Sequence, residues 1–314
     1  MEHGTTGFIL TLISLIHGSF ATIVSFIVFL VLLHHQYTNR MKRDEHINLF
    51  LFTIIYSYLF IYILTLLSFN VQTILGDLYD INFTSSWCTF RGYLISVMCS
   101  DIYQIFGIQA FFRLCRIIYP RRRMFRSFWF YFVLVFVQLA KTFVILCPIL
   151  VWQDIDYLSN EHYCYVTFDK PRGMIYVIFT TYGIPLSILF SHYVRITIFL
   201  HRLPNNQTMI IRSQQKRDLI AIRRIFIHVT LLLTLVVPGT ILTLIRFITG
   251  QDYPLTFRIL WLGSEVSIAI LTIEMILATP QLKNLFLKPW RQNRVSMIAQ
   301  TVQRGNATTM HLSA

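Results

Sequence analysis

Long runs of apolar residues, separated by short polar stretches, are the main pattern along the chain. Each run holds roughly 20 or more residues, which at about 1.5 Å per residue is the length of a helix that crosses the hydrocarbon core of a bilayer. Open strands leave backbone groups unpaired in lipid, so each run is predicted to be helical. The seven predicted spans cover residues 8–33, 47–69, 89–112, 127–152, 174–200, 225–248 and 255–278.

The composition of the 314 residues also indicates a membrane protein. Hydrophobic residues make up 55% and charged residues 13%, and the mean hydropathy is +0.59, which is too apolar for an ordinary soluble domain. The net charge of +13 raises the question of nucleic-acid binding, but the basic residues lie between the apolar runs and do not form one face. The first predicted partner is therefore the lipid bilayer, and no nucleic-acid partner is predicted.

The distribution of Lys and Arg predicts the orientation. Basic connections stay in the cytoplasm, and every second connection here is strongly basic. The N-terminus is therefore predicted to be extracellular and the C-terminus cytoplasmic. The other connections carry most of the acidic residues, so the outer mouth of the bundle is predicted to be net negative. The basic stretches, which hold 21 of the 27 basic residues, are 34–46, 113–126, 195–224 and 283–304.

One glycosylation sequon lies on the predicted outer side. Asn82 begins an Asn-Phe-Thr triplet in the first outer connection, whereas the matching triplets at Asn206 and Asn306 fall on the cytoplasmic side. Glycans are attached to surface loops of secreted or lumenal segments. Asn82 is therefore the predicted acceptor.

The five Cys residues argue against a metal or redox centre. None of them is spaced as Cys-x-x-Cys, so neither a zinc site nor a thioredoxin-like site is indicated. The sequence also lacks His-Glu-x-x-His, a Gly-rich phosphate loop and a serine elbow, which are signatures of common enzyme classes. We therefore predict no enzyme activity, no cofactor and no metal.

The third predicted span carries the most specific pattern. It begins at Cys88 and reaches Arg113 after 25 residues, followed by Ile117 and Pro120. In this spacing it resembles the third helix of rhodopsin-like G-protein-coupled receptors, although Phe and Leu flank the Arg where the family has an acid and a Tyr. The resemblance implies an all-α bundle of seven transmembrane helices in the plasma membrane, which couples an extracellular ligand to a heterotrimeric G protein. It also implies a disulfide between Cys88 and Cys164.

The resemblance divides the chain into three parts. These are a receptor domain over residues 1–278, a short amphipathic eighth helix over 279–290 and a flexible cytoplasmic tail over 291–314. The family's Asn-Pro pair in the seventh helix has no clear counterpart, because Thr272 stands at the expected depth of the Pro and Pro280 comes later. We place Pro280 in the first turn of the amphipathic helix, a position that favours Pro.

Four residues correspond to the family's activation switch. Arg113 belongs to the third helix, and Asp218 lies at the inner end of the sixth predicted span. Asp218 is a candidate for a charge-assisted latch with Arg113, the alternative being that it only offsets neighbouring basic residues. Pro238 removes a backbone hydrogen bond and bends the sixth span. Tyr193 lies eight residues after Pro185, as in the family, and is expected near Arg113 when the bundle opens.

Ionisable residues inside a membrane span are costly and therefore mark functional candidates. Asp101 and Lys141 lie at similar depth and are predicted to form a structural ion pair. Glu265 lies at the depth at which opsins carry their retinal lysine. Ile95 stands where amine receptors carry an Asp.

We take Ile95 and Glu265, together with Arg246 and Arg258 at the rim, as candidates for the ligand pocket. A net negative mouth above Glu265 favours a cationic ligand such as a basic or amidated peptide, whereas the two Arg residues favour a carboxylate. The alternative function is that of a transporter or channel, with an ion path lined by the intramembrane carboxylates.

Overall fold

The computed structural model describes residues 2–38, 43–119, 122–167, 170–201 and 255–278, and scattered positions between 223 and 250. The described chain is mostly helical. In chain order the elements are α1 (Glu2–Thr38), α2 (Arg43–Tyr79), α3 (Ser86–Ile118), a 3-10 turn (Met124–Arg126), α4 (Phe128–Leu146), α5 (Pro148–Val151), β1 (Ile155–Leu158), β2 (Tyr163–Val166), α6 (Pro171–Ile178), a π-helical turn (Phe179–Gly183), α7 (Ile184–His201) and α8 (Thr256–Ala278).

Within the described residues, six helical segments are long and apolar enough to cross a membrane. They correspond to the first five predicted spans and the last one, which supports a multi-pass helical membrane protein. The sixth predicted span, 225–248, falls mostly outside the described residues, and the amphipathic helix and tail over 279–314 lie entirely outside them. The total of seven spans and the amphipathic helix after them therefore stay predictions.

α3 is the central helix of the described bundle. It packs against α2, α4, α7 and both strands, and 21 of its 33 residues are buried. The Ser85 side chain accepts a hydrogen bond from the Cys88 N–H at 3.2 Å and caps the N-terminus of α3. Arg113 lies near the other end of the same helix, so α3 connects the two ends of the bundle.

The connection between α5 and α6 contains a β-hairpin, which the sequence analysis did not predict. Strands β1 and β2 are antiparallel, and Ile155 pairs with Val166 while Leu158 pairs with Tyr163. The turn between them leaves His162 at a φ of 61°, a left-handed conformation that His adopts more readily than branched residues do. We call residues 155–166 the hairpin and the end of the bundle that carries it the hairpin side.

The fourth and fifth spans are interrupted at defined residues. α4 ends at Leu146, with Cys147 as its C-cap, because Pro148 has no N–H to donate, and Pro148 begins the short helix α5. In the fifth span the π-helical turn separates α6 from α7 just before Pro185. A π turn inserts one extra residue and changes the direction of nearby side chains. Tyr182 within it packs edge-on against Tyr103 of α3, with ring centroids 5.1 Å apart.

The chain divides into two compact units, residues 1–270 and 271–314. All of the elements from α1 to α7 belong to the first unit. The described part of the second unit is the last two turns of α8. The site discussed below lies within the first unit.

Candidate functional site

The hairpin is bonded covalently to the start of α3. The sulfur atoms of Cys88 and Cys164 are 2.05 Å apart and the two Cα atoms 5.4 Å apart, as in an ordinary disulfide. This is the pairing that the family resemblance implies. Gly92, one turn along α3, lies against Cys164: a Cβ atom at Gly92 would be 2.4 Å from the Cys164 carbonyl oxygen. The absence of a side chain at Gly92 therefore allows β2 to lie against α3.

A small cavity lies between α2, α3, the π-helical turn and α8. Its volume is about 20 Å³, which is room for a single water molecule. Among the described residues that form its walls, none carries a formal charge. They are Tyr62, Cys99, Ile102, Tyr103, Tyr182, Ser264, Ser267 and Ile268.

The polar groups of the cavity are hydroxyls and one thiol, and most of them are paired with one another. The Tyr62 hydroxyl is hydrogen-bonded to Ser264. The Cys99 sulfur lies 3.7 Å from the Tyr182 hydroxyl oxygen. Hydroxyls both donate and accept hydrogen bonds. The cavity is therefore suited to an uncharged, hydrogen-bonding group and offers no partner for an ion.

The hairpin reaches this cavity through one tryptophan. Trp261 donates from Nε1 to the Tyr163 hydroxyl at 2.7 Å, and its ring lies 5.0 Å from that of Tyr165. Ser264 of the cavity wall follows one helical turn after Trp261 on α8. The Tyr165 hydroxyl is hydrogen-bonded to Ser96 of α3. A ligand that displaced β2 would therefore also disturb the wall of the cavity.

Arg258, expected to face a ligand, is fully used by the protein itself. Its guanidinium donates to Asp77 at 2.8 and 3.0 Å, to Glu161 at 3.0 Å and to the carbonyl oxygen of Asn160 at 3.1 Å. A guanidinium has five N–H donors in a fixed planar arrangement, and these contacts occupy all of them together with one to the Thr11 hydroxyl at 3.4 Å. In the described residues Arg258 therefore joins α8 to α2 and to the hairpin turn.

Glu265 is enclosed in a polar cluster away from the cavity. Its carboxylate accepts hydrogen bonds from Ser14 of α1 at 2.5 Å and from Asn70 of α2 at 2.7 Å, and the side chain is fully buried. Gly18 lets α1 approach, since a Cβ atom there would be 3.1 Å from the carboxylate. Hydrogen bonds of this kind are what a buried carboxylate requires. Within the described residues, Glu265 therefore joins three helices and does not line the cavity.

The predicted ion pair between Asp101 and Lys141 is not present among the described residues. Asp101 instead accepts a hydrogen bond from Thr142 at 2.7 Å through Oδ1. Thr142 is buried against α3, whereas Lys141 lies on the exposed face of α4. Successive helical side chains point about 100° apart. Equal depth therefore did not bring the Lys141 ammonium within 4 Å of the Asp101 carboxylate, although the two charges still attract each other at longer range.

The predicted switch residues are described only in part. Tyr193 packs against the buried cluster that contains Leu114, the residue after Arg113, and its ring stacks on that of Phe226 at 5.5 Å. This contact brings α7, the end of α3 and the beginning of the sixth predicted span together. Asp218 and Pro238 lie outside the described residues.

Three further predicted residues have clear positions. Asn82 is exposed, and its side-chain oxygen accepts hydrogen bonds from the N–H and hydroxyl of Thr84 at 2.9 and 2.5 Å. Ile95 is buried in α3 and is not among the described walls of the cavity. Arg246 is half-buried and belongs to the partly described stretch before α8.

Sequence reasoning missed the tyrosines of the cavity and the acidic partners of Arg258. The chain has 16 Tyr residues, so composition alone could not single out three of them. A usable signal was present for the acids, because Asp77 and Glu161 were already assigned to the same side as Arg258.

Compared with models of known protein families, the sequence matches none. A search of curated protein sequences returns no significant match.

Proposed function

We propose that this chain is a receptor of seven helices, a divergent relative of the rhodopsin-like G-protein-coupled receptors, in the plasma membrane. The observation that carries the proposal is the arrangement on α3. One end of this helix is bonded to the hairpin through Cys88, and the other end carries Arg113, whose neighbour Leu114 belongs to the buried cluster against which Tyr193 packs. In this proposal α3 links an end that is accessible to the ligand to a cytoplasmic end that binds a heterotrimeric G protein.

The ligand enters from the hairpin side in this proposal. The acidic residues at the rim gave the reason to expect a basic peptide, but the described ones largely have cationic partners. Asp154 is paired with Arg172 at 3.3 Å and Asp156 with Lys170 at 2.6 Å. Paired charges attract a further ion much less than free ones do. We therefore favour a ligand of low net charge, such as an amidated peptide without basic side chains, that contacts the hairpin side of the bundle.

A transporter or channel is the second candidate, and the described contacts favour it less. An ion path requires carboxylates that line a common route. Asp101 is held by Thr142 at the contact between α3 and α4, whereas Glu265 is held by Ser14 and Asn70 between α1, α2 and α8. The two carboxylates therefore belong to separate helix contacts.

Replacing Arg113 with Ala is expected to reduce agonist-driven signalling at least tenfold while surface expression persists, because Arg113 is the proposed contact to the G protein. A screen of peptide and small-molecule libraries with cyclic-AMP and calcium readouts supplies the agonist. The control is Arg126→Ala, which removes an exposed guanidinium, 3.6 Å from Asp44, from the same side of the bundle. A wild-type response in Arg113→Ala would exclude the proposed coupling mechanism.

The proposed orientation predicts that only Asn82 carries a glycan. A glycosidase should shift the wild-type protein on a gel, and neither Asn82→Gln nor Thr84→Ala should show that shift, because each change destroys the sequon. Asn206→Gln and Asn306→Gln are the controls and should retain the shift. Glycosylation at either of those two positions would reverse the orientation and contradict the receptor proposal.

A further inference from the structure

Four ionisable side chains meet where the turn of the hairpin contacts the ends of α2 and α8. We call Asp77, Glu161, His162 and Arg258 the tip cluster. Arg258 makes two hydrogen bonds to Asp77 and one to Glu161, and His162 Nε2 lies 3.7 Å from an Asp77 oxygen. Gly76 leaves the space that the imidazole occupies, since a Cβ atom there would lie 2.0 Å from the His162 ring.

The charges of the tip cluster do not cancel when both carboxyl groups are ionised. Two carboxylates then share one guanidinium, and His162 is neutral in its unprotonated form. The Glu161 side chain is 5% exposed and the Asp77 side chain 21% exposed, so little water is present to screen the excess negative charge. Two nearby carboxylates in a buried site favour the uptake of one proton. The more buried carboxyl, that of Glu161, is where the proton relieves the larger desolvation cost.

We propose that the Glu161 carboxyl is a proton-binding site, through which the acidity of the medium on the hairpin side determines how tightly the hairpin turn is held to α2 and α8. The proton is thus a ligand of this protein in its own right. The inference concerns the conformation of the hairpin and does not require that the chain couples to a G protein.

The groups that face Glu161 come from four elements. α8 contributes Arg258, and α2 contributes Asp77 and the Thr73 hydroxyl, which donates to the Glu161 backbone carbonyl at 2.6 Å. The hairpin contributes the ionisable side chains of His162, Tyr157 and Tyr163. From α1, the uncharged hydroxyl of Thr11 lies near Arg258.

The direction of the pH effect follows from these contacts. Burial raises the pKa of Glu161 from its ordinary value of 4.5 to about 7, with Asp77 acting in the same sense and Arg258 opposing it. A carboxyl whose pKa is raised in the closed form binds a proton more tightly there than in a solvated, open form. Acidification through this window therefore stabilises the closed turn. The stabilisation is fully present below pH 4.5 and is lost as the pH rises through 7.

The turn can respond without the hairpin leaving the bundle. The disulfide at Cys164 and the hydrogen bond from Trp261 to Tyr163 anchor β2, whereas the turn depends on the tip cluster. Weakening the tip cluster thus loosens residues 159–162 and leaves β2 attached to α3.

Amide hydrogen exchange of the full chain in phosphatidylcholine nanodiscs tests this inference. Exchange of residues 159–162, corrected for the intrinsic pH dependence of amide exchange, should slow by roughly tenfold per pH unit on acidification from pH 6.5 to pH 5. It should level off above pH 7. Residues 122–127, which are remote from the tip cluster, provide the internal reference. Corrected exchange that does not change with pH would overturn the proposal.

Three variants identify the group that binds the proton. Glu161→Gln imitates the protonated carboxyl and should remain protected at every pH. Asp77→Asn removes the neighbouring negative charge, so the transition should move to lower pH, which keeps the test informative if Glu161→Gln does not fold. His162→Gln should retain the transition. A transition that persists in Glu161→Gln, or that disappears only in His162→Gln, would place the proton elsewhere and refute the assignment.

Discussion

Replacing Cys164 with Ser is expected to lower the free energy of unfolding by roughly 2–5 kcal/mol, the range found when native disulfides are removed. The bond closes a large loop, since Cys88 and Cys164 are 76 residues apart, and loop closure restricts the unfolded chain more as the loop grows. The folded state also depends on the bond, because it fixes β2 on α3. The measurement is the apparent melting temperature of the protein in nanodiscs.

Two control variants separate the bond from the loss of a thiol. Cys147→Ser removes an exposed free thiol and should leave the melting temperature unchanged. Cys88→Ser combined with Cys164→Ser should cost no more than either change alone, because one missing sulfur already breaks the bond. Equal stability of wild type and Cys164→Ser would show that the disulfide does not stabilise the fold.

The helical framework was predictable because lipid imposes a strong requirement on the sequence. A span must be apolar over about 20 residues and must pair its own backbone groups, and α1 to α4 follow that pattern. The hairpin was not predictable in the same way. Its strands hold four residues each, which is too short for a reliable alternating pattern. The π-helical turn likewise depends on packing against α3 and has no signature in the sequence.

The site was predictable where a covalent or spacing rule applied, and not where side-chain partners decide the outcome. The pairing of Cys88 with Cys164 followed from the family resemblance. The role of Arg258 did not, because its partner Asp77 lies 181 residues away along the chain and either a ligand or the protein can satisfy a guanidinium. The predicted ion pair between Asp101 and Lys141 was based only on the similar depth of the two residues. Depth does not determine which face of a helix a residue occupies.

Glu265 illustrates the same limit for a fully buried acid. Its depth in α8 was correctly read as unusual, since an intramembrane carboxylate needs hydrogen-bond donors. Those donors come from Ser14 and Asn70, which lie on two other helices and have no distinguishing spacing in the sequence. The sequence therefore marked Glu265 as a functional candidate but did not indicate that the protein itself supplies its hydrogen-bond donors.

Replacing Arg258 with Ala is expected to destabilise the protein by about 3 kcal/mol at neutral pH, because it leaves Asp77 and Glu161 without their shared cation in a largely buried site. The loss should grow with pH. Burial raises the pKa of Glu161 to about 7, so below that pH the carboxyl is largely neutral and needs the guanidinium less. Apparent melting temperatures of the variant and the wild type at pH 5.5 and pH 8 measure the effect.

A comparison of three variants identifies what Arg258 contributes. Arg258→Lys keeps the charge but cannot make two parallel hydrogen bonds to Asp77, so its loss should be intermediate. Lys170→Ala removes an exposed cation paired with Asp156 and should cost less than about 1 kcal/mol. Asp77→Asn combined with Arg258→Ala should cost less than the sum of the two single changes, because each removes the same ion pair. Additive losses would instead mean that Arg258 stabilises the hairpin side through packing and not through Asp77.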